Sequence, residues 1–240
     1  MKSKLLILFL LVSSLGFAQN PHFWDGIEAF DGPTDENPIL AAQLDFYFDK
    51  MVAPLPDSIT PEIDRLVERT SFNNDLRDFI LWYLLEKYRH PEYMSQDQVF
   101  VYLYDQYFSR LEINDLNKTN LALIRDKAEA FRRLALFKLA PDFAINDSVD
   151  LHSVESEYMV LFFYDHDCDV CHKEMQELDS VVLAHPEVTV LDIDMNTDDV
   201  RVDALYELYD IETTPLIYVL DNEKRIIAKK IQAKQIPLVL

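Results

Sequence analysis

The 240-residue chain contains little glycine: its three glycines are Gly16, Gly26 and Gly32, and none follows. Nucleotide-binding loops of the Rossmann and P-loop types need several closely spaced glycines, because the backbone there must approach a phosphate. The shortage of glycine therefore excludes a loop of this kind.

Positive charge is also scarce. Lys and Arg number 22 against 43 Asp and Glu, which gives a formal net charge of −21. An acidic surface repels phosphate backbones, so nucleic acid is not expected as a partner. A hydrophobic content of 49% excludes a disordered chain, and the length allows one large domain or two ordinary ones.

The N-terminus has the layout of a secretory signal peptide over residues 1–19. A short positive head, Met1–Lys4, precedes the apolar run Leu5–Val12, and Gly16 and Ala18 supply small residues for cleavage. We expect cleavage after Ala18 or Gln19, a periplasmic or secreted protein, and no stable membrane insertion, since the run is too short for a lasting anchor. The alternative is an uncleaved membrane anchor.

Residues 20–138 have helical periodicity and predict an all-α domain of unknown function. Helices are predicted over residues 38–52, from Thr60 onwards, over 74–88, from a capping box at Ser95 and Gln98 to residue 108, and over 119–137. The aromatic side chains crowded between residues 72 and 108 are interpreted as a helix-bundle core; a peptide-binding groove is the alternative.

Residues 139–240 show a different pattern, in which apolar runs typical of buried strands alternate with helical segments. The apolar runs cover residues 158–164, 188–193 and 215–220, and helices are predicted over 168–184 and 198–209. A turn at 221–224 then leads into a hairpin strand over 225–231, which is followed by a short helix near Pro237. This order predicts an α/β fold, a mixed central sheet flanked by helices.

The two cysteines, Cys168 and Cys171, form a CxxC motif where the first buried strand gives way to a helix. Two cysteines cannot make the framework of a disulfide-rich domain, but a CxxC pair can be a redox couple. The N–H groups of a helix N-terminus stabilise a thiolate, so Cys168 is the predicted nucleophile and Cys171 the resolving thiol.

The CxxC motif follows a buried strand, and Thr213-Thr214-Pro215 precedes a later predicted strand. On these features, residues 139–240 resemble a thioredoxin-like domain. The segment Ala140–Phe143 resembles the opening of extracytoplasmic thiol–disulfide oxidoreductases of the TlpA/ResA type. The resemblance implies catalytic Cys168 and Cys171, a cis-proline at Pro215, substrate binding by Thr214 and Pro215, and no cofactor or metal. The implied partners are protein thiols and disulfides and an unidentified upstream electron donor.

The sequence departs from the usual thioredoxin pattern at several places, two of which concern the site. The CxxC interior is Asp169-Val170, and Phe162 stands where the family carries a buried acid. Asp165, Asp167 and Asp169 surround Cys168 and are expected to oppose its thiolate at least as strongly as the helix terminus favours it. A less stabilised thiolate lowers the reduction potential, which predicts a reductant or isomerase and not a strong oxidant.

Other interpretations of the motif remain open. CxxC followed by His172 is also the c-type haem attachment pattern, and the two thiols with His166 or His172 could bind zinc or copper. A thioredoxin-fold protein that binds partners without turnover is the main alternative function. Peroxidase activity is disfavoured, because residues 164–167 contain neither the Pro nor the Thr that precedes a peroxidatic cysteine. His22, His90, His152 and His185 are interpreted as surface or loop residues.

Overall fold

The structure is a computed structural model that describes residues 22–27, 38–110, 112–114, 116–197 and 199–240. The predicted signal peptide, residues 1–19, lies outside the described residues. None of the described helices combines the length and the apolar character that a membrane span requires.

Residues 38–133, called the helical block below, contain five α-helices. These are α1 (Pro38–Phe46), α2 (Pro56–Arg69), α3 (Asn74–Arg89), α4 (Asp97–Leu103) and α5 (Lys118–Arg133); α1 and α4 continue as π-helical turns over Tyr47–Met51 and Tyr104–Phe108. Their apolar faces share one core, in which Phe100 packs edge-on against Phe131 at 5.4 Å and Trp82 against Phe108 at 4.9 Å. The crowded aromatic residues thus contribute to a helix-bundle core.

Several helix ends differ from the sequence prediction. Helix α2 begins at Pro56, not near Thr60, because a proline in the first turn loses no intrahelical hydrogen bond; Pro61 then lies inside the helix. The capping box predicted at Ser95 and Gln98 is wrong: Gln96 precedes α4 and makes no side-chain cap. Helix α5 ends at Arg133, four residues before the predicted end at Phe137.

Residues 134–240, called the α/β block, contain a mixed four-stranded sheet with the order β4-β3-β5-β6. The strands are β3 (Tyr158–Tyr164), β4 (Val188–Asp194), β5 (Leu216–Leu220) and β6 (Ile226–Lys229), preceded by a separate short hairpin of β1 (Ala144–Asn146) and β2 (Val149–Asp150). Strand β3 runs parallel to β4 and antiparallel to β5, which is antiparallel to β6.

Helices cover both faces of this sheet. Helix α6 (Asp169–Ala184) and a final 3₁₀ segment (Ala233–Leu238) pack on the face to which Val160 and Phe162 of β3 point. Helix α7 (Val200–Leu208) packs on the opposite face with Leu161 and Phe163. All four of these β3 side chains are fully buried, as expected of a strand covered on both sides. The predicted fold class, a helical region followed by a mixed sheet between helices, is confirmed.

Candidate active site

Strand β3 and helix α6 position the two cysteines. Cys168 is the N-cap of α6, with extended backbone angles (φ −97°, ψ 113°), and its Sγ accepts a hydrogen bond from the backbone N–H of Cys171 at 3.2 Å. Cys168 is half-buried and Cys171 is fully buried, and both are free thiols. The sulfur of Cys168 is therefore accessible to a second molecule, whereas the sulfur of Cys171 lies buried one helical turn further along α6.

The two thiols differ in acidity. Hydrogen bonds from the Cys171 side chain and backbone lower the pKa of Cys168, while the charge of Asp165 opposes that change. Burial is the main cause that raises the pKa of Cys171. The expectation that the neighbouring acids at least match the helix N-terminus is thus wrong in its direction, because hydrogen bonding at the N-cap outweighs the carboxylate. A stabilised thiolate raises the reduction potential, so the prediction of a reductant or isomerase loses the charge argument on which it rested.

The turn between β3 and α6 is built from polar contacts. Asp165 accepts hydrogen bonds from the backbone N–H of Asp167 at 2.8 Å and from the side chain of Asn196 at 3.1 Å, which lower its pKa. His166 lies 2.8 Å from Asp194, and this contact raises the pKa of the imidazole. His166 is therefore protonated over a wider pH range than a free histidine and adds positive charge to an acidic turn.

Thr214 and Pro215 approach the CxxC from the neighbouring strand. The peptide bond between them is cis, and β5 begins at the next residue, Leu216, which pairs with Phe163 at the end of β3. A hydrogen bond with the Thr214 side chain lowers the pKa of Cys171, against the larger effect of burial. The structure thus brings together the predicted site residues at one edge of the sheet.

A cleft of about 400 Å³ opens beside these residues. One wall comes from the α/β block, where Val170, Thr213 and Pro215 line it, and the other from His90 and Pro91 at the end of α3. Sequence reasoning placed His90 among ordinary surface residues. Nothing in its local sequence marks it, because only the packing of the two blocks brings it to the site.

The position of the missing acid is filled by an aromatic residue. Phe162 is fully buried and stacks on Tyr164, with ring centroids 5.5 Å apart and an interplanar angle of 9°. This side chain carries no proton that could be exchanged with Cys171.

The alternative ligand sites find little geometric support. Among the described residues, no three His, Cys, Asp or Glu side chains are grouped so that they could hold a metal ion. His172 is exposed on the first turns of α6, in an α/β layer fold and not in the helical shell that a c-type haem would need.

Comparisons with known proteins agree with this architecture. Residues 136–237 match the AhpC/TSA family, and no curated protein matches the chain. Among solved structures, a thioredoxin-like protein from Bacteroides caccae is similar over 90% of this chain and 88% of that chain, with a TM-score of 0.70 and 16% identity. This likeness confirms the thioredoxin-like fold and extends over the helical block.

Two further similarities are confined to part of the chain. A domain of a possible thiol-disulfide isomerase from Cytophaga hutchinsonii is 27% identical, over 43% of this chain and 89% of that chain, with a TM-score of 0.38. The thioredoxin domain of a thiol-disulfide oxidoreductase from Bacteroides vulgatus is 20% identical, over 45% and 99% respectively, with a TM-score of 0.37.

Proposed function

We propose that the protein is an extracytoplasmic thiol–disulfide oxidoreductase that acts on protein disulfides through its CxxC dithiol. The observation that carries the proposal is the pairing of a half-buried Cys168, whose pKa is lowered at a helix N-terminus, with a buried Cys171, whose pKa is raised. Nucleophilic attack needs a thiolate that can be reached, and resolution needs a second thiol that stays protonated until the first has reacted.

The reaction follows from this division of roles. The Cys168 thiolate attacks one sulfur of a substrate disulfide, and the other substrate sulfur leaves as a thiolate. Cys171 then gives up its proton and attacks Cys168 Sγ, which releases the second substrate thiolate and leaves a Cys168–Cys171 disulfide. Two electrons have passed to the substrate, and a dithiol donor must restore them. In isomerisation, a second thiol of the substrate resolves the mixed disulfide, so no net electrons are transferred.

Thr214 and Pro215 are proposed to bind the substrate chain. The segment directly precedes β5, and the Thr214 side chain is hydrogen-bonded to Cys171; backbone groups in such a position can pair with an extended peptide as an added strand. Peroxidase activity is not proposed, because Tyr164–Asp167 provides neither the Pro nor the Thr expected just before a peroxidatic cysteine.

Insulin reduction in the presence of dithiothreitol tests the catalytic part of the proposal. The mature protein is expected to accelerate reduction, Cys168→Ser to abolish the acceleration, and Cys171→Ser to accumulate mixed disulfides that non-reducing electrophoresis separates. Equal rates for the wild type and Cys168→Ser would mean that the domain binds partners without turnover. A reduction potential near that of strong periplasmic oxidants, about −120 mV, would mean that the disulfide form oxidises substrate dithiols and that the same steps run in reverse.

The proposed compartment has its own test. Expression of the full chain in a Gram-negative host, followed by N-terminal sequencing, is expected to give a periplasmic protein that begins after Ala18 or Gln19. Recovery of the uncleaved chain in the cytoplasm would contradict the signal peptide.

A further inference from the structure

Side chains of the helical block hold the segment that leads into Thr214 and Pro215. Arg133, the last residue of α5, donates hydrogen bonds to the backbone carbonyls of Glu207 at 2.8 Å and Leu208 at 3.3 Å. These carbonyls lie at the C-terminal end of α7, where the last C=O groups have no N–H donor within the helix. Arg133 therefore fixes the point at which the chain leaves α7 for the active site.

Lys127 makes the second attachment. Its ammonium group lies 2.8 Å from both carboxylate oxygens of Asp210 and 2.6 Å from Glu212 Oε1, and 4.8 Å from the ring centre of Phe131. The Lys127 side chain is only 8% exposed and that of Asp210 only 11%. Charge-assisted hydrogen bonds shielded from water are directional and strong, so Lys127 defines where the loop after α7 lies.

The same contacts also form the cleft. Asp210 and Glu212 line it from the loop, and His90 and Pro91 face them from the helical block, with His90 Nδ1 3.6 Å from Glu212 Oε2. Pockets of about 300–1,000 Å³ take a small ligand or a short piece of chain, and this cleft of about 400 Å³ is at the narrow end of that range. A cleft of this size accommodates a few residues of extended chain.

We propose that the helical block is part of the substrate-binding site. Lys127 is a positioning residue that fixes the loop before Pro215, and His90 and Pro91 form a wall of the cleft that binds an extended, flexible substrate segment next to the disulfide. The inference rests on the proposed function and adds the substrate class to it.

Kinetics with two disulfides of different size test the inference. The substrates are a disulfide-linked pair of short unstructured peptides and 2-hydroxyethyl disulfide, which needs only contact with Cys168. Lys127→Met is expected to raise KM for the peptide disulfide about tenfold, since small misplacements of binding groups are costly, and to leave the rate with the small disulfide within about twofold. The matched control is Arg125→Met on the same helix, where the exposed Arg125 pairs with its neighbour Asp126. This control should leave both substrates unaffected.

The outcomes separate the two proposals. A wild-type protein that reduces neither disulfide overturns the proposed function and the inference together. A wild type that reduces both, with Lys127→Met unchanged for the peptide or equally impaired for both substrates, overturns the inference alone. If Lys127→Met does not fold, it is combined with Asp210→Asn and Glu212→Gln. The triple variant leaves no carboxylate buried without a partner, and the same two substrates are compared on it.

Discussion

Replacing Lys229 by Met removes the buried ion pair that Lys229 forms with Asp97 between the two blocks. The Lys229 ammonium on β6 contacts the carboxylate of Asp97, the first residue of α4, and donates a hydrogen bond to the backbone carbonyl of Leu134 at 2.6 Å. Both charged side chains are only 3% exposed. Burial lowers the pKa of Lys229, and the charge of Asp97 acts against that shift.

Removing one partner of a buried pair costs about 3–5 kcal/mol, because the other charge stays buried alone. Asp97 keeps some compensation, since the N-terminus of α4 favours a carboxylate by about 0.3–1 kcal/mol. We therefore expect Lys229→Met to lower the free energy of unfolding by about 3 kcal/mol. Combining it with Asp97→Asn removes both charges, and the double variant should lose only about 1 kcal/mol, as expected when a buried pair is replaced together.

Urea denaturation followed by two probes measures these effects. The protein has two tryptophans, Trp24 and Trp82, and both lie in the helical core, so fluorescence reports on the helical block while far-ultraviolet circular dichroism reports on the whole chain. Coincident transitions indicate one cooperative unit. Arg225→Met is the control, because the exposed Arg225 pairs with Asp221 on the surface and its loss should cost at most about 1 kcal/mol. A loss below about 1 kcal/mol for Lys229→Met, or a fluorescence transition that does not move, would refute the reasoning.

Four further outcomes follow from the site and the surface. Iodoacetamide should alkylate Cys168 with a pH midpoint below that of a free cysteine, because its pKa is lowered, and should spare the buried Cys171 in mass spectra; a midpoint at or above the free value contradicts the geometry. Asp165→Asn should move this midpoint further down, since its charge disfavours the thiolate, and a rise would contradict that role. Rates with lysine-rich peptide disulfides should fall as salt increases, because the protein carries a net charge of −21; salt-independent rates would count against electrostatic steering. Asn73→Ala should cost about 1 kcal/mol in thermal unfolding, because its side chain accepts the backbone N–H of Leu76 at the start of α3, and no loss would contradict that cap.

The sequence predicted best those strands and helices whose buried residues form a recognisable apolar pattern within the element itself. Strand β3 has the predicted limits, Tyr158–Tyr164, because both of its faces are covered and every residue within it is apolar or aromatic. The hairpin of β1 and β2 was not predicted. Its strands have three and two residues, and its turn is closed by the Asn146 side chain, which accepts the Ser148 N–H at 2.9 Å, without the glycine that usually marks a hairpin.

The site was predictable where its chemistry is local in sequence and not where it depends on packing. The CxxC and Thr214-Pro215 carry their own motif, so residue types and spacing placed them correctly at one sheet edge. The sequence does not distinguish Lys127 from any other lysine on a helix, because the carboxylates that it binds, those of Asp210 and Glu212, lie 83 and 85 residues further along the chain. The acidity of Cys168 was misjudged for a related reason: counting aspartates along the chain ignores the hydrogen bonds that form only when the helix does.

The junction between the blocks positions one wall of the cleft beside the CxxC motif. Lys127 of the helical block is paired with Asp210 of the α/β block, and Lys229 of the α/β block with Asp97 of the helical block, so each side buries one ammonium among the other side's acids. Opening the junction like a hinge would separate both pairs at once, and in the closed arrangement their charge-assisted hydrogen bonds fix how the two blocks lie against each other. The cleft between Pro91 and Pro215 needs this arrangement, because its walls come from both blocks, and the two ion pairs therefore keep one wall of the cleft beside Val170 of the CxxC motif.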